Sequence, residues 1–254
     1  MRILIECGSV PVSLEQTLIV VPAYNEEASV GAVVREIFDT LPGVTVLVVD
    51  DGSVDTTSAV AAESGATVAT LPFNMGVGGA MRLGFKYALE HGFSAVVQID
   101  ADGQHDPRGV PALLASLNEA DLVIGARFAG AGDYSVRGPR KWAMRMLSLV
   151  LSRTAGTKLS DTTSGFKASG PRAVALFASN YPAEYLGDTI EALVIAARAG
   201  CRIAQVPVVM RPRAAGVPSH NPVKAATYLG RAFLALGFAL FRPIAPAQGE
   251  VNPS

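Results

Sequence analysis

The sequence predicts an α/β protein in which a mostly parallel sheet is flanked by helices. Short apolar runs rich in β-branched residues alternate with longer segments of helical periodicity, and the loops between them are short. These runs are apolar almost continuously, which is typical of parallel strands covered on both faces. With 254 residues, half of them hydrophobic, the chain is long enough for a substantial core.

Five strands are predicted in the first half of the chain, and polar residues follow each of them. Their continuous apolar character distinguishes them from the amphipathic segments that lie between them. The predicted strands are Thr17–Pro22, Val44–Val49, Ala66–Thr70, Ser94–Ile99 and Leu122–Ala126.

Helices are predicted between these strands. The first ends near Thr40, and the third ends near His91. After the fourth strand we expect a helix to begin at Pro107, with Asp106 as its N-cap. Proline is favoured at the first helical position because the N–H that it lacks would be unpaired there.

The second half of the chain is less regular. A strand pattern spans Cys201–Met210, and a helix that opens near Tyr185 runs to Ala199. The C-terminal helical pattern carries aromatic and basic residues. It is compatible with three alternatives: contact with a membrane surface, packing on the core, or packing on a partner chain. We expect an N-terminal extension over 1–16, the main domain over 17–220, an amphipathic to apolar helix over 221–242 and a disordered tail over 243–254.

Charge and cysteine content exclude several classes of protein. The formal net charge is −1, so no affinity for nucleic acid is implied, and phosphate binding must depend on local arginines. Cys7 and Cys201 lie far apart without metal-ligand spacing, which indicates a reducing compartment. No apolar run reaches the roughly 18 residues of a membrane span, and the first residues make a poor signal peptide. We therefore expect a cytoplasmic protein.

Two carboxylates directly follow the fourth predicted strand. Asp100 and Asp102 lie where its apolar run ends, and open α/β sheets bind ligands at the carboxyl ends of their strands. Two oxygen ligands this close suit Mg²⁺ or Mn²⁺ carrying a diphosphate, because Mg²⁺ usually takes one or two protein carboxylates together with phosphate oxygens. A solvated acidic turn is the alternative interpretation of this motif taken alone.

Polar residues also follow the other predicted strands, and parallel strands would bring them to one edge of the sheet. They are Pro22–Glu26, Asp50–Asp55, Asn74–Gly79 and Arg127. The glycine-rich segment follows the third strand and lacks the G-x-G-x-x-G pattern, so a nicotinamide dinucleotide is disfavoured.

Five ordered motifs resemble family 2 glycosyltransferases of the GT-A fold, and the nearest branch is the dolichol- or polyprenol-phosphate sugar transferases. The resemblance extends from about residue 17 to residue 213 and implies a Rossmann-like, mostly parallel sheet. The motifs are Val21–Glu27, Val49–Asp55, Asn74–Ala80, Asp100–His105 and Asp161–Phe166.

The resemblance implies a nucleotide-diphosphate sugar as donor, such as GDP-mannose or a UDP-hexose, and Mg²⁺ or Mn²⁺ as cofactor. It implies that Asp102 ligates the metal, assisted by Gln104, and that Arg127 faces the phosphates although its motif reads Gly-Ala-Arg. Tyr24 offers a ring on which a base can stack. The implied nucleotide-binding residues are Pro22, Tyr24, Glu26, Asp50, Gly76, Asp100 and Ala101, and the implied catalytic residues are Asp100, Asp102, Arg127, Asp161 and Glu191.

Two kinds of acceptor would require different residues. A saccharide hydroxyl needs a general base, for which Asp161, Asp188 and Glu191 are candidates. A polyprenyl phosphate is already anionic near neutrality, because the second pKa of a phosphate monoester is about 6, so it needs a basic site instead. The candidates for that site are Arg137, Arg140, Arg211, Arg213 and Lys224, with ordinary surface charge as the alternative interpretation.

We therefore expect a metal-dependent inverting hexosyltransferase that uses polyprenyl phosphate at the inner face of the cell membrane. Peripheral attachment there would need the helix over 221–242 or a small membrane protein as partner. One alternative is a soluble transferase that uses a saccharide hydroxyl in cell-envelope polysaccharide synthesis. Another is a non-catalytic, membrane-associated module that binds nucleotide sugars.

Overall fold

The computed structural model of the chain describes most of the predicted main domain. The predicted extension is described only from Val12, and the predicted helix over 221–242 and the tail over 243–254 lie outside the described residues. The side chains of Arg127 and Asp188 also lie outside them. The described residues are 12–127, 152–153, 156–157, 159, 161–162, 164–182 and 188–212.

Within the described residues, seven strands form one sheet in the order β3-β2-β1-β4-β6-β5-β7. All pairs that exclude β6 are parallel, so the predicted α/β class with a mostly parallel sheet is confirmed. The predicted strands all form, with ends that shift by two residues at most. The strands are β1 (Thr17–Ala23), β2 (Thr45–Asp50), β3 (Thr67–Thr70), β4 (Ala95–Gln98), β5 (Leu122–Arg127), β6 (Lys167–Ser169) and β7 (Ile203–Val208).

Helices connect most of these strands and cover the sheet. Asp106 accepts a hydrogen bond from the Arg108 N–H at 3.0 Å and so caps a short 3₁₀ turn, Pro107–Gly109, which leads into α4. The predicted cap and helix start are therefore confirmed. The α-helices are α1 (Val30–Thr40), α2 (Thr57–Glu63), α3 (Gly76–Glu90), α4 (Val110–Ser116), α5 (Pro171–Asn180) and α6 (Asp188–Arg198).

The central strand β1 contributes to a core on each face of the sheet. Leu18 and Val20 pack on the face covered by α3, α5 and α6, and Ile19 and Val21 pack on the face covered by α1 and α4. All four side chains are fully buried. On the first face α3 packs closely on β1 at Gly84. A Cβ atom at that position would come within 2.7 Å of the Val20 side chain. The continuous apolar runs are thus explained by burial on both faces.

Sequence patterns did not predict strand β6. It has only three residues, two of them polar, which is too short for a periodic signal. It runs antiparallel to both β4 and β5, so those two strands are parallel to each other and end at the same edge of the sheet. The residues just before it, Gly165 and Phe166, are thereby brought beside the end of β4.

Candidate active site

A cavity of about 310 Å³ opens at the edge of the sheet where β1 and β4 end. This is the edge at which the sequence predicts a ligand site, because polar loops follow the parallel strands there. The structure brings six of the predicted site residues together in its lining. They are Pro22, Tyr24, Glu26, Asp100, Ala101 and Asp102.

The cavity is acidic. Glu26, Asp100 and Asp102 line it, and its described lining contains neither lysine nor arginine. Within the described ranges, no group of three or more His, Cys, Asp or Glu side chains is arranged to hold a metal ion. The two aspartates nevertheless suit Mg²⁺ or Mn²⁺ that completes its coordination with phosphate oxygens of a ligand. Asp102 also accepts a hydrogen bond from the Gln104 N–H at 3.0 Å, which fixes the turn that carries both residues.

Asp50 does not line the cavity, although a nucleotide-binding role was predicted for it. Its side chain is buried, and one carboxylate oxygen accepts the Ser53 N–H at 2.9 Å. The other oxygen accepts the Ser58 hydroxyl. Asp50 therefore holds the turn after β2, and its position in the chain alone did not reveal these partners.

The next residue, Asp51, organises the start of α3. Its two carboxylate oxygens accept the N–H groups of Met75 and Gly76, each at 2.7 Å. Burial raises the pKa of the Asp51 carboxyl, against the effect of these two hydrogen bonds. The Gly76 N–H thus already donates a hydrogen bond to Asp51. Gly76 does not line the cavity. The sequence analysis assigned no role to Asp51. The signal that could have revealed one is the pair of adjacent aspartates in the motif Asp-Asp-Gly-Ser.

Four cavity residues were not predicted. Gln98 is a polar residue inside an apolar strand, a signal that sequence reasoning could have used. Gly165 belongs to a motif that was recognised without a role for the glycine. Val77 from α3 and Thr189 from α6 complete the set.

The Asp100 carboxylate has close neighbours inside the protein. The Gln98 side-chain amide donates to Asp100 Oδ1 at 3.0 Å, and His105 Nε2 lies 3.6 Å from Asp100 Oδ2. His105 Nδ1 accepts the Asp100 backbone N–H at 3.0 Å. The Asp100 side chain is 36% exposed and lines the cavity, while Gln98 and His105 contact it on the side that faces the protein interior.

The remaining predicted acids lie near the cavity or outside the described residues. Glu191 is buried in α6, two residues after the cavity residue Thr189, but it is not part of the lining. Asp161 is half-buried, and its carbonyl oxygen accepts the Gln205 side-chain amide at 2.8 Å. Asp188 begins α6, and its side chain is outside the described set.

The predicted arginines divide into three groups. Arg127 ends β5 at the same edge of the sheet as the cavity, and its side chain is not described. Arg137, Arg140 and Arg213 lie outside the described residues. The guanidinium of Arg211 contacts Glu36 at 2.7 Å and Asp106 at 3.0 Å, and not the cavity.

Arg211 ties the segment after β7 to the loop after β4. Its backbone N–H donates to the Gln104 carbonyl at 2.9 Å, and Met210 forms a bridge with His105. Its side chain is only 30% exposed and is held by Asp106 and Glu36. A structural role explains these contacts, and the acceptor-phosphate role of Arg211 stays a prediction.

Replacement of Asp106 by asparagine should lower the free energy of unfolding at pH 7 by about 1–2 kcal/mol. The effect is no larger because water screens the charge of Arg108, the exposed partner of Asp106. Arg108 and then Arg211 hold the pKa of the Asp106 carboxyl at about 2, below its unfolded value of about 3.9. The stabilisation should therefore be present above about pH 5 and be lost as the pH falls through 4 towards 2. Asparagine keeps the cap acceptor and removes the charge together with the second oxygen that accepts from Arg108.

Urea unfolding of the wild type and of Asp106→Asn at pH 7 and pH 3 would measure this effect. The exposed acid Asp39 supplies the control Asp39→Asn, which should leave stability unchanged at both pH values. A stability difference for Asp106→Asn that is the same at both pH values would contradict the ion-pair interpretation.

Comparison with known proteins gives a family match and named relatives. Residues 18–174 match the family model described as glycosyl transferase family 2. An undecaprenyl-phosphate mannosyltransferase of Micrococcus luteus is 33% identical over 213 residues, which cover 79% of this chain and 86% of that protein. A polyprenol monophosphomannose synthase of Mycolicibacterium smegmatis is 36% identical over 169 residues, 61% of each chain. These names give no support to the predicted membrane-protein partner.

Solved structures with the same fold include a glucosyl-3-phosphoglycerate synthase from Mycobacterium tuberculosis. Its complex with Mn²⁺, UDP and glucosyl-3-phosphoglycerate has a TM-score of 0.68 at 26% identity and covers 89% of this chain and 80% of that chain. A complex of the same synthase with Mg²⁺ and UDP has a TM-score of 0.66 at 25% identity, with the same coverage. Among the helices that the structure describes here, none is long and apolar enough to cross a lipid bilayer.

Proposed function

The chain belongs to glycosyl transferase family 2 and is a hexosyltransferase of the GT-A fold, and we propose that it transfers a hexose from a nucleotide-diphosphate sugar to polyprenyl phosphate. The observation that carries the donor half of this proposal is the acidic cavity, which gathers six predicted nucleotide and metal residues. The two named relatives support polyprenyl phosphate as the acceptor and make mannose the first sugar to test.

We propose a divalent cation, Mg²⁺ or Mn²⁺, at Asp102 and Gln104. Three lining carboxylates would repel a diphosphate at close range unless a cation lies between them. When bound, the metal supplies positive charge that stabilises the leaving nucleotide diphosphate. The Mn²⁺ and Mg²⁺ complexes of the structurally similar synthase support this assignment.

The other cavity residues can bind and orient the donor. The Tyr24 ring is 45% exposed and offers a face for stacking of the base. The Glu26 carboxylate can accept from base N–H groups or ribose hydroxyls, and Asp100 can accept from a hydroxyl nearer the diphosphate. Arg127 ends β5 at the same edge of the sheet and is the proposed cation for the phosphates.

A phosphate acceptor simplifies the chemistry. Its anionic oxygen can attack the anomeric carbon from the side opposite the leaving diphosphate, which inverts that centre and needs no general base. Glu191 is buried outside the cavity lining, which agrees with a reaction that does not require its carboxylate as a base. In this proposal residues 17–220 form the catalytic domain, and the segment over 221–242 gives peripheral contact with the inner membrane face.

Calorimetric titration of the full chain with a donor panel would test the proposal. We expect one of GDP-mannose, UDP-glucose, UDP-N-acetylglucosamine and a deoxythymidine-diphosphate sugar to bind with Mn²⁺ and to lose affinity when a chelator is added. That donor should then be consumed with polyprenyl phosphate, giving the lipid-linked sugar. Transfer only to a saccharide hydroxyl would favour a soluble envelope transferase, and a folded protein that binds no panel member would contradict the proposal.

A further inference from the structure

The Asp100 carboxylate lies between two polar side chains that come from different positions in the chain. Gln98 precedes it on β4 and donates its amide N–H to Oδ1 at 3.0 Å. His105 follows it in the loop, and its Nε2 atom lies 3.6 Å from Oδ2. Both partners are about 95% buried, whereas Asp100 faces the cavity. The acid is therefore held on its protein side by two largely buried groups, of which Gln98 also lines the cavity and His105 does not.

The hydrogen bonds determine which nitrogen of His105 carries the proton in the neutral ring. Nδ1 accepts the Asp100 backbone N–H at 3.0 Å, and an acceptor nitrogen carries no hydrogen. The proton is then on Nε2, which faces the Asp100 carboxylate. One imidazole thus accepts from the backbone N–H of Asp100 and lies beside the carboxylate of the same residue.

The ring of His105 is itself fixed by packing. It stacks on Phe166, with ring centroids 5.0 Å apart and planes 14° apart. His105 also forms a bridge with Met210 from the segment after β7. The bridge holds the backbone that carries the ring, and rotation of the imidazole away from Asp100 would break its stacking on Phe166, so the ring is a rigid support for the acid.

We propose that Gln98 and His105 are positioning residues that hold the Asp100 carboxylate in the orientation in which it binds the sugar donor. This inference rests on the proposed function, because it assigns the pair to the donor half of the reaction. An acid that is oriented before the donor arrives does not have to give up rotational freedom on binding. Loss of the pair should therefore appear mainly in the KM for the donor.

Two variants remove one support each with little change in shape. His105→Phe keeps a ring that can stack on Phe166 and removes both nitrogens, and Gln98→Leu removes the amide. Each should raise the donor KM about ten- to a hundredfold, the range seen when a partner that orients a site ligand is lost. The kcat should change less, and the melting temperature should stay close to that of the wild type.

His105→Asn is the rescue variant, because an asparagine oxygen can take the place of Nδ1 and accept the Asp100 N–H. It should recover part of the donor affinity that His105→Phe loses. His91→Phe is the matched control: His91 stacks on Tyr87 on the surface of α3, and its ring can be replaced there without contact to the cavity. The control should keep the wild-type donor KM.

The donors used to measure KM are GDP-mannose and UDP-glucose, each with Mn²⁺. An NMR measurement of the His105 tautomer needs no donor. Long-range ¹⁵N–¹H NMR of the ligand-free chain should show His105 as the Nε2–H tautomer, assigned by its absence in His105→Phe. An Nδ1–H tautomer, or wild-type donor KM in both His105→Phe and Gln98→Leu, would overturn the inference. If the wild type binds no donor, the proposed function fails, and the tautomer still decides whether the pair holds Asp100.

Discussion

Replacement of Asp102 by asparagine should reduce the rate of sugar transfer by about 10²–10³-fold, the size of effect expected when a group that stabilises developing charge is lost. Asp102 lines the cavity beside two other acids, and its carboxylate is the proposed anchor of the divalent cation. Asparagine has nearly the same shape but no charge, so the expected loss reports on cation binding and not on packing. The residual activity should no longer respond to added Mn²⁺.

Initial rates measured across a Mn²⁺ titration would give this result. Glu119→Gln makes the same carboxylate-to-amide change at an exposed position before β5, away from the cavity, and should behave as the wild type. Near-normal turnover in Asp102→Asn with an unchanged Mn²⁺ dependence would remove Asp102 as a metal ligand.

Replacement of Gly165 by alanine should reduce kcat/KM for the donor by about a hundredfold. A Cβ atom at this position would lie 2.9 Å from Asp100 Oδ2, closer than real Cβ atoms approach, and 3.1 Å from Gln98 Nε2, which is also a tight contact. The methyl group must push the Asp100 carboxylate away from its supports, and a displacement of about 1 Å at a reacting site can cost 10²-fold. The backbone of Gly165 needs no left-handed conformation, so the effect is one of space alone.

Gly170→Ala is the matched control, on the same segment but at the start of α5. A Cβ atom there would meet only ordinary contacts of 3.5 Å, and the φ of −80° suits alanine. Steady-state kinetics and thermal unfolding of both variants would separate displacement of Asp100 from general instability. Wild-type kinetics in Gly165→Ala would show that the position of Asp100 is not critical for the donor.

The fold could be predicted because burial on both faces leaves a continuous apolar run for each parallel strand. β1 illustrates this, since all seven of its residues are buried and the predicted strand differs from it by one residue. β6 could not be predicted, because three residues carry no period and its position depends on two strands that are distant in sequence. Its neighbours, and not its own composition, make it a strand.

The candidate site was predictable where a side chain directly follows a strand, as Asp100 and Asp102 do. It was not predictable where partners meet only in space. Arg211 was assigned to a phosphate from its charge, yet its partner Glu36 lies 175 positions earlier in the chain. Gly165 carried no visible reason for being glycine until the structure placed it against Asp100.

The late position of β6 in the chain has a consequence for the order of folding events. The strands β1 to β3 come from residues 17–70 and pair across 27 and 20 residues, so this part of the sheet can form from contacts of moderate sequence separation. β4 pairs with β1 across 78 residues and with β6 across 69 residues, and closure of such long loops is entropically costly and slow. The wall of the cavity that contains Gly165 should therefore form after the wall that contains Tyr24. A folding intermediate would then have the base-facing side of the cavity before it has the support for Asp100, and catalytic competence should be gained late in folding.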